Sequence, residues 1–235
     1  MAQLRAKQNR IGQLKVAQLR PKRLAQLEPK WVAQLRPFYL HLDFETIMPA
    51  VPMFDESRPY QAIPFQFSLH CQETDRGEIK HFAYLAESNP AIDPRIGLIK
   101  QMIEQTKNAI TIFMYSPYER TMINQMKRDF PAYADQLQFI ADRLVDLIVP
   151  FRKKHYKTET MEGKSSIKKV LPAICPELSY SDLEIGDGMT ASNSFLELYS
   201  CNDAEVISTT RENLLKYCHL DTLAMVKVFE VLQGV

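Results

Sequence analysis

The sequence predicts an α/β domain in which a mixed sheet of about five strands is flanked by helices. Three observations carry that expectation. Phe38 to Thr46, FYLHLDFET, alternates so that Phe38, Leu40, Leu42 and Phe44 share one strand face and Tyr39, His41, Asp43 and Glu45 the other. Ala109 to Tyr115, AITIFMY, is a short and almost continuous apolar run, the mark of a strand covered on both faces and parallel to the first. Apolar residues also recur at helical spacing after Asp93-Pro94 and from about Thr210 to Leu232.

In chain order, residues 1–37 stand apart. They hold nine Lys/Arg against Glu28, a local +8 that leaves the rest of a +1 chain at −7. VAQLRPKR, LAQLEPKW and VAQLRPFY at 16–23, 24–31 and 32–39 are three octads in register. Pro21, Pro29 and Pro37 interrupt any helix once per repeat. We read 1–37 as a flexible or loosely helical extension, either an arm that touches nucleic acid or docks a protein partner or a solvated tail, and 38–235 as the domain.

Beyond the first strand lies a Pro-rich loop with Pro49, Pro52, Pro59 and Pro64. Phe65, Phe67 and Leu69 alternate with Gln66, Ser68 and His70; Ile79 to Leu85 follows a turn at Asp75-Arg76-Gly77, which completes a three-stranded meander. Asp93-Pro94 caps a helix carrying Ile96, Ile99, Met102 and Ile103, ended by Asn108. Ser116-Pro117 starts another, with Glu119 in its first turn. Leu137 to Ala141 reads either as a last short strand or as the start of a helix through Leu144, Leu147 and Ile148. Seven basic side chains crowd 152–169, and Ser165 or Ser166 caps a short helix that Pro172 bends or ends. On the last helix Leu214, Tyr217, Asp221, Met225 and Val228 form one stripe.

Composition bounds the classes of function. At 46% hydrophobic and 24% charged, 235 residues suit one substantial globular domain. Cys71, Cys175, Cys201 and Cys218 form no Cys-x-x-Cys pair and read as buried thiols of a reduced compartment. No apolar run approaches the roughly 18 residues of a membrane span, and no signal peptide is evident, so a cytoplasmic location is expected.

The acids point to chemistry. Asp43 and Glu45 face the same way, where mutual repulsion is costly unless a cation such as Mg²⁺ or Mn²⁺ neutralises it. Asp221 on an apolar helix stripe likewise demands a partner or a metal. His41, His70 and His219 look isolated and are given no role.

An Asp-x-Glu on the first strand, an acid at the start of the helix after the fourth, and Tyr-x-x-x-Asp on the final helix occur here in that order. The arrangement resembles the DnaQ-like, or DEDD, 3′-to-5′ exonuclease superfamily, of the subtype with tyrosine in its third motif, over about Tyr39 to Leu232. LDFET, PYQAIPFQFS, IKKVLP and YCHLDTLAM look similar, more narrowly, to an uncharacterised bacterial group of exonuclease-like domains usually found at the end of a longer chain. The resemblance implies a ribonuclease H-like fold and a metal-dependent nuclease acting on a single-stranded DNA or RNA end with two Mg²⁺ or Mn²⁺ ions. Asp43 and Glu45 match the first motif, Glu119 the second, and Tyr217 with Asp221 the third. By that resemblance Asp43 and Asp221 anchor the ion on the side of the attacking water, Glu45 shares in the cluster, Glu119 serves the second ion, and Tyr217 orients the water.

The second motif departs from the pattern: Ser116-Pro117-Tyr118-Glu119 stands where the superfamily has Asn-x-x-Phe-Asp. Asp142 and Asp146 are the secondary candidates for that place. Lys164, Lys168 and Lys169 are candidate contacts to a nucleic-acid backbone, against the plainer reading of a solvated face. The rival functions are a catalytically degenerate nucleic-acid-binding module and a protein-interaction subunit on the same fold.

Overall fold

A computed structural model describes residues 39–72 and 78–234. The octad extension, the boundary at 37/38 and the turn at Asp75-Arg76-Gly77 lie outside the described residues. The sheet is mixed and five-stranded, in the order β3-β2-β1-β4-β5. β1 (Tyr39–Ile47), β2 (Ile63–Gln72) and β3 (Ile79–Leu85) form the antiparallel meander, with Asp43 opposite Ser68 and Glu45 opposite Gln66. β4 (Thr111–Met114) and β5 (Leu144–Asp146) add in parallel on the far side of β1. β1 is therefore the central strand, and the acids that its alternation aligns stand in the middle of the molecule.

Helices cover both faces, which is why β2 is buried along its whole length. Under one face, Leu40, Leu42 and Phe44 pack with α1 (Pro94–Thr106), α2 (Tyr118–Asp129) and α3 (Ala134–Ala141). α1 begins as expected: Asp93 accepts from the Arg95 amide at 2.9 Å, and Pro94 occupies the first turn. The other face, which carries Tyr39, His41, Asp43 and Glu45, lies beneath α7 (Ala204–Gly234), the 31-residue final helix. The short α4 (Val149–Arg152), α5 (Ile167–Ile174) and α6 (Gly188–Leu198) complete that layer.

Three local readings need correction. Leu137 to Ala141 is helical, but the helix stops there and does not run through Leu144. Ile112 N donates to the Arg143 carbonyl at 2.9 Å and Leu147 N to that of Met114 at 2.9 Å, so edge pairing with β4 takes Leu144–Asp146 into the sheet. The final helix starts six residues before the expected Thr210, because Asp203 caps it by accepting from Glu205 N at 2.9 Å and Val206 N at 3.2 Å. α6 has no helical signal in the sequence, since its TASNS core is poor in strong helix formers. It is held instead by the Asp187 cap, at 2.9 and 3.0 Å from Met189 N and Thr190 N, and by burial of Ala191, Phe195 and Leu198. Phe195 stacks on Phe65 of β2 with ring centroids 4.0 Å apart.

Candidate active site

The four motif carboxylates come from three elements and line one cleft of about 550 Å³. Asp43 and Glu45 arrive together because strand residues two apart share a face. Glu119 enters from the first turn of α2, just after Ser116 and Pro117 open the helix. Its carboxylate accepts from Ser116 Oγ at 3.3 Å, while the same hydroxyl accepts from Tyr118 N at 3.1 Å. Asp221 and Tyr217, one turn apart on α7, reach down from the opposite layer.

Electrostatics dominate this cleft. Glu45, Glu119 and Asp221 are each less than a tenth exposed. Burial, reinforced by Asp221, Glu119 and Glu45, pushes the Asp43 carboxyl well above the ordinary aspartate range. Burial and Asp221 do the same to Glu45, against a lowering pull from Lys168. Burial lifts Glu119 to about 7, although hydrogen bonds from its own amide, Asp43 and Ser116 oppose the rise. Asp221 is pushed up to about 6 by burial, moderated by the Tyr180 hydroxyl, Lys168 and Tyr217. The hydrogen bond between the two carboxyls raises Asp43 and lowers Glu119, so the proton they share is favoured on Asp43.

Two flanking groups had not been singled out from the sequence. The Tyr180 hydroxyl donates to Asp221 Oδ1 at 2.7 Å, and its ring lies edge-on to Tyr217 at 6.3 Å. Tyr180 sits between α5 and α6 in a stretch with no periodicity, so nothing in the sequence marks it. The Cys218 thiol lies 3.9 Å from Asp43 Oδ2, and one ligand atom each from Asp43, Glu45 and Cys218 fall within 4.8 Å of one another. Cys218 occupies the Tyr217–Asp221 stripe, so its place was legible, but a thiol in a helix reads as core. Burial and the surrounding acids hold that thiol well above its ordinary range, hence protonated. Burial and the same acids raise both tyrosine hydroxyls, so they donate rather than ionise.

The basic candidates separate. Lys168 lines the cleft, donates to the Gly186 carbonyl at 2.7 Å, and holds its ammonium 5.3 Å from the Tyr217 ring centroid and 5.5 Å from that of Tyr180. Lys164 and Lys169 instead pair with the exposed Glu162, at 4.0 and 3.1 Å. Asp142 is exposed and accepts from Gln138 at 2.6 Å; Asp146 accepts from Ile148 N at 2.9 Å, and neither lines the cleft. At the mouth, Met48, Tyr118 and Met189 leave apolar surface uncovered, Met189 being 75% exposed.

A family model described as a domain of unknown function, DUF2779, matches residues 40–166. The chain belongs to the DUF2779 family. The match takes in Asp43, Glu45 and Glu119 and ends before Tyr180, Tyr217 and Asp221. Two uncharacterised mycoplasma proteins are similar over a longer span. The MG366 homolog of Mycoplasma pneumoniae is 26% identical over 80% of this chain and 31% of its own length. MG366 of Mycoplasma genitalium is 25% identical over 83% of this chain and 32% of its own length. The DUF2779 chain thus spans about a third of the length of these relatives. No solved structure matches it. Among the described residues no helix is long and apolar enough to cross a membrane.

Proposed function

We propose that this cleft is a divalent-cation-dependent nuclease site, and that the domain acts as a 3′-to-5′ exonuclease on single-stranded DNA or RNA, as the DnaQ-like resemblance implies. One observation carries the reading: Asp43, Glu45, Glu119 and Asp221 converge on a single cleft in which Lys168 is the one basic residue among the described lining residues. Four acids held together with raised proton affinities destabilise the cation-free protein, and local strain of that kind concentrates where function requires it.

The donors fit the ions the resemblance implies. An oxygen-rich set suits Mg²⁺ or Mn²⁺ over softer metals, and a dication replaces the protons that the acids otherwise share. Asp43, Glu45, Glu119 and Asp221 would hold two such ions, which when bound supply an activated water and charge to stabilise the leaving 3′ oxygen. Glu119 is one methylene longer than the superfamily's aspartate, and its first-turn position on α2 brings its carboxylate to Asp43.

The remaining side chains serve substrate and water. The protonated Tyr217 hydroxyl, beside Asp221, is placed to donate to an oxygen in the cleft and so to orient it rather than to act as a base. Tyr180 fixes the Asp221 carboxylate through its 2.7 Å hydrogen bond. Lys168 offers the positive charge a phosphate needs, and the uncovered Met48, Tyr118 and Met189 give bases a surface to lie on.

The test is incubation of the full chain with 5′-end-labelled single-stranded DNA and RNA, with and without Mg²⁺ or Mn²⁺. A metal-dependent ladder shortening from the 3′ end is expected. Salt-sensitive binding without cleavage would instead make the domain a degenerate nucleic-acid-binding module, and neither binding nor cleavage would favour a protein-interaction role.

A further inference from the structure

Away from the cleft, three imidazoles that the sequence scatters over 150 residues meet on one patch. His70 of β2 and His81 of β3 are directly paired across the sheet, and His219 of α7 closes over them. Ring centroids are 4.6 Å apart for His70–His81, 4.7 Å for His70–His219 and 4.4 Å for His81–His219. One nitrogen from each ring lies within 4.8 Å of the other two. The cluster is separate from the carboxylates: none of the three lines the cleft, and two residues along a helix turn a side chain about 200° away, so His219 points opposite to Tyr217 and Asp221.

We propose that His70, His81 and His219 form a second metal site, for a nitrogen-preferring transition cation such as Zn²⁺. Three features point to a ligand rather than to packing alone. The three imidazoles each bring one ring nitrogen to the same patch, and no carboxylate among the described residues joins the group to pair with them. Two rings are already oriented from behind by buried hydroxyls. Thr222 Oγ1 bonds His70 Nδ1 at 2.8 Å, Ser68 Oγ bonds His81 Nε2 at 2.8 Å, and the two hydroxyls bond each other at 2.7 Å. Such partners fix ring orientation around bound metals. Finally, His70 is fully buried while His81 is exposed, which leaves one side open for a fourth ligand such as water.

The fit requires modest closure. Zn–N bonds of about 2.0–2.1 Å set tetrahedral ligand nitrogens about 3.3 Å apart, so the rings must approach by at most about 1.5 Å, within reach of side-chain rotation. The same donors discriminate against the ions suited to the cleft: imidazole binds Zn²⁺ and has little affinity for Mg²⁺. A bound ion would tie α7 to β2 and β3 beneath the helix that carries Tyr217 and Asp221.

The full chain, stripped with a chelator and dialysed, is titrated with Zn²⁺ alone while binding and thermal melting are followed. Asp43→Asn separates the two sites without any reliance on hydrolysis. The wild type and Asp43→Asn are expected to share one Zn²⁺ site of matching affinity and the rise in Tm that it brings, whatever further Zn²⁺ the carboxylate cleft takes up in the wild type. His81→Ala, an exposed change on β3, and His219→Gln should lose both effects while melting as the metal-free wild type does. Zinc that leaves the wild-type Tm unchanged, or that binds His81→Ala as tightly as wild type, would overturn the site.

Discussion

Replacing Glu119 by Gln should stabilise the cation-free protein, and only above a definite pH. The side chain is 4% exposed and its carboxyl is pushed from an ordinary 4.5 up to about 7, chiefly by burial. An acid whose folded value is raised holds its proton in the folded state after the unfolded chain has released it. Its stability contribution is therefore fully present below about 4.5 and is lost as pH rises through about 7. The separation of the two values corresponds to about 3 kcal/mol, an upper figure because Asp43 shares the proton. Gln keeps the shape, never ionises, and so escapes the loss. Melting is compared for wild type and Glu119→Gln in chelator at pH 4.5 and pH 8. At pH 4.5 the two should coincide; at pH 8 the variant should melt higher, by about 2–4 °C if one kcal/mol of the loss is recovered. Mn²⁺ should raise the wild type more than the variant at pH 8. Equal melting at pH 8, or a difference of the same size at both pH values, would refute the reasoning that crowded, buried charge is what the cation relieves.

Three further outcomes follow from the same geometry. Tyr217→Phe removes a hydroxyl and keeps the ring, so turnover should fall on the order of 10²- to 10⁴-fold with melting nearly unchanged; wild-type turnover in a folded variant removes Tyr217 from the chemistry. Lys168→Gln should weaken binding of single-stranded nucleic acid and lower the salt slope by about 0.7, whereas the same change at Lys169, held by Glu162, should do neither; filter binding across a salt series decides it. Deleting residues 1–36 should leave a folded, active domain that binds nucleic acid more weakly at low salt, and loss of folding or activity would place the extension inside the domain.

What could be read ahead of the structure followed physical periodicity. The alternation of β1 placed Asp43 and Glu45 side by side, and four-residue spacing placed Tyr217 above Asp221; both follow from backbone geometry alone. The apolar run Ala109 to Tyr115 announced a strand covered on both faces, and β4 is such a strand, though shorter at each end. β5 was misplaced because three residues are too few to show a period, and its identity is settled by hydrogen bonds to β4. α6 was missed because Asp187 and tertiary packing hold a segment of weak intrinsic preference. Tyr180 in an irregular stretch, and the histidines that pair across β2, β3 and α7, become neighbours only through the fold. Lys168 and Lys169 are adjacent in sequence, yet one faces the cleft and the other the surface acid Glu162, a distinction that depends on the orientation of α5.

The central claim is that the carboxylates gathered around Asp43 serve phosphodiester hydrolysis. It is tested most directly by following a 5′-end-labelled oligonucleotide with Mn²⁺ in the presence of wild type or Asp43→Asn, each checked for folding by melting. An amide at that position keeps the shape and removes one charge from the cluster. The wild type should produce a ladder receding from the 3′ end that vanishes in chelator, and Asp43→Asn, equally folded, should leave the strand intact. Undiminished, metal-dependent cleavage by Asp43→Asn, or an intact strand with a folded, Mn²⁺-loaded wild type, would contradict it.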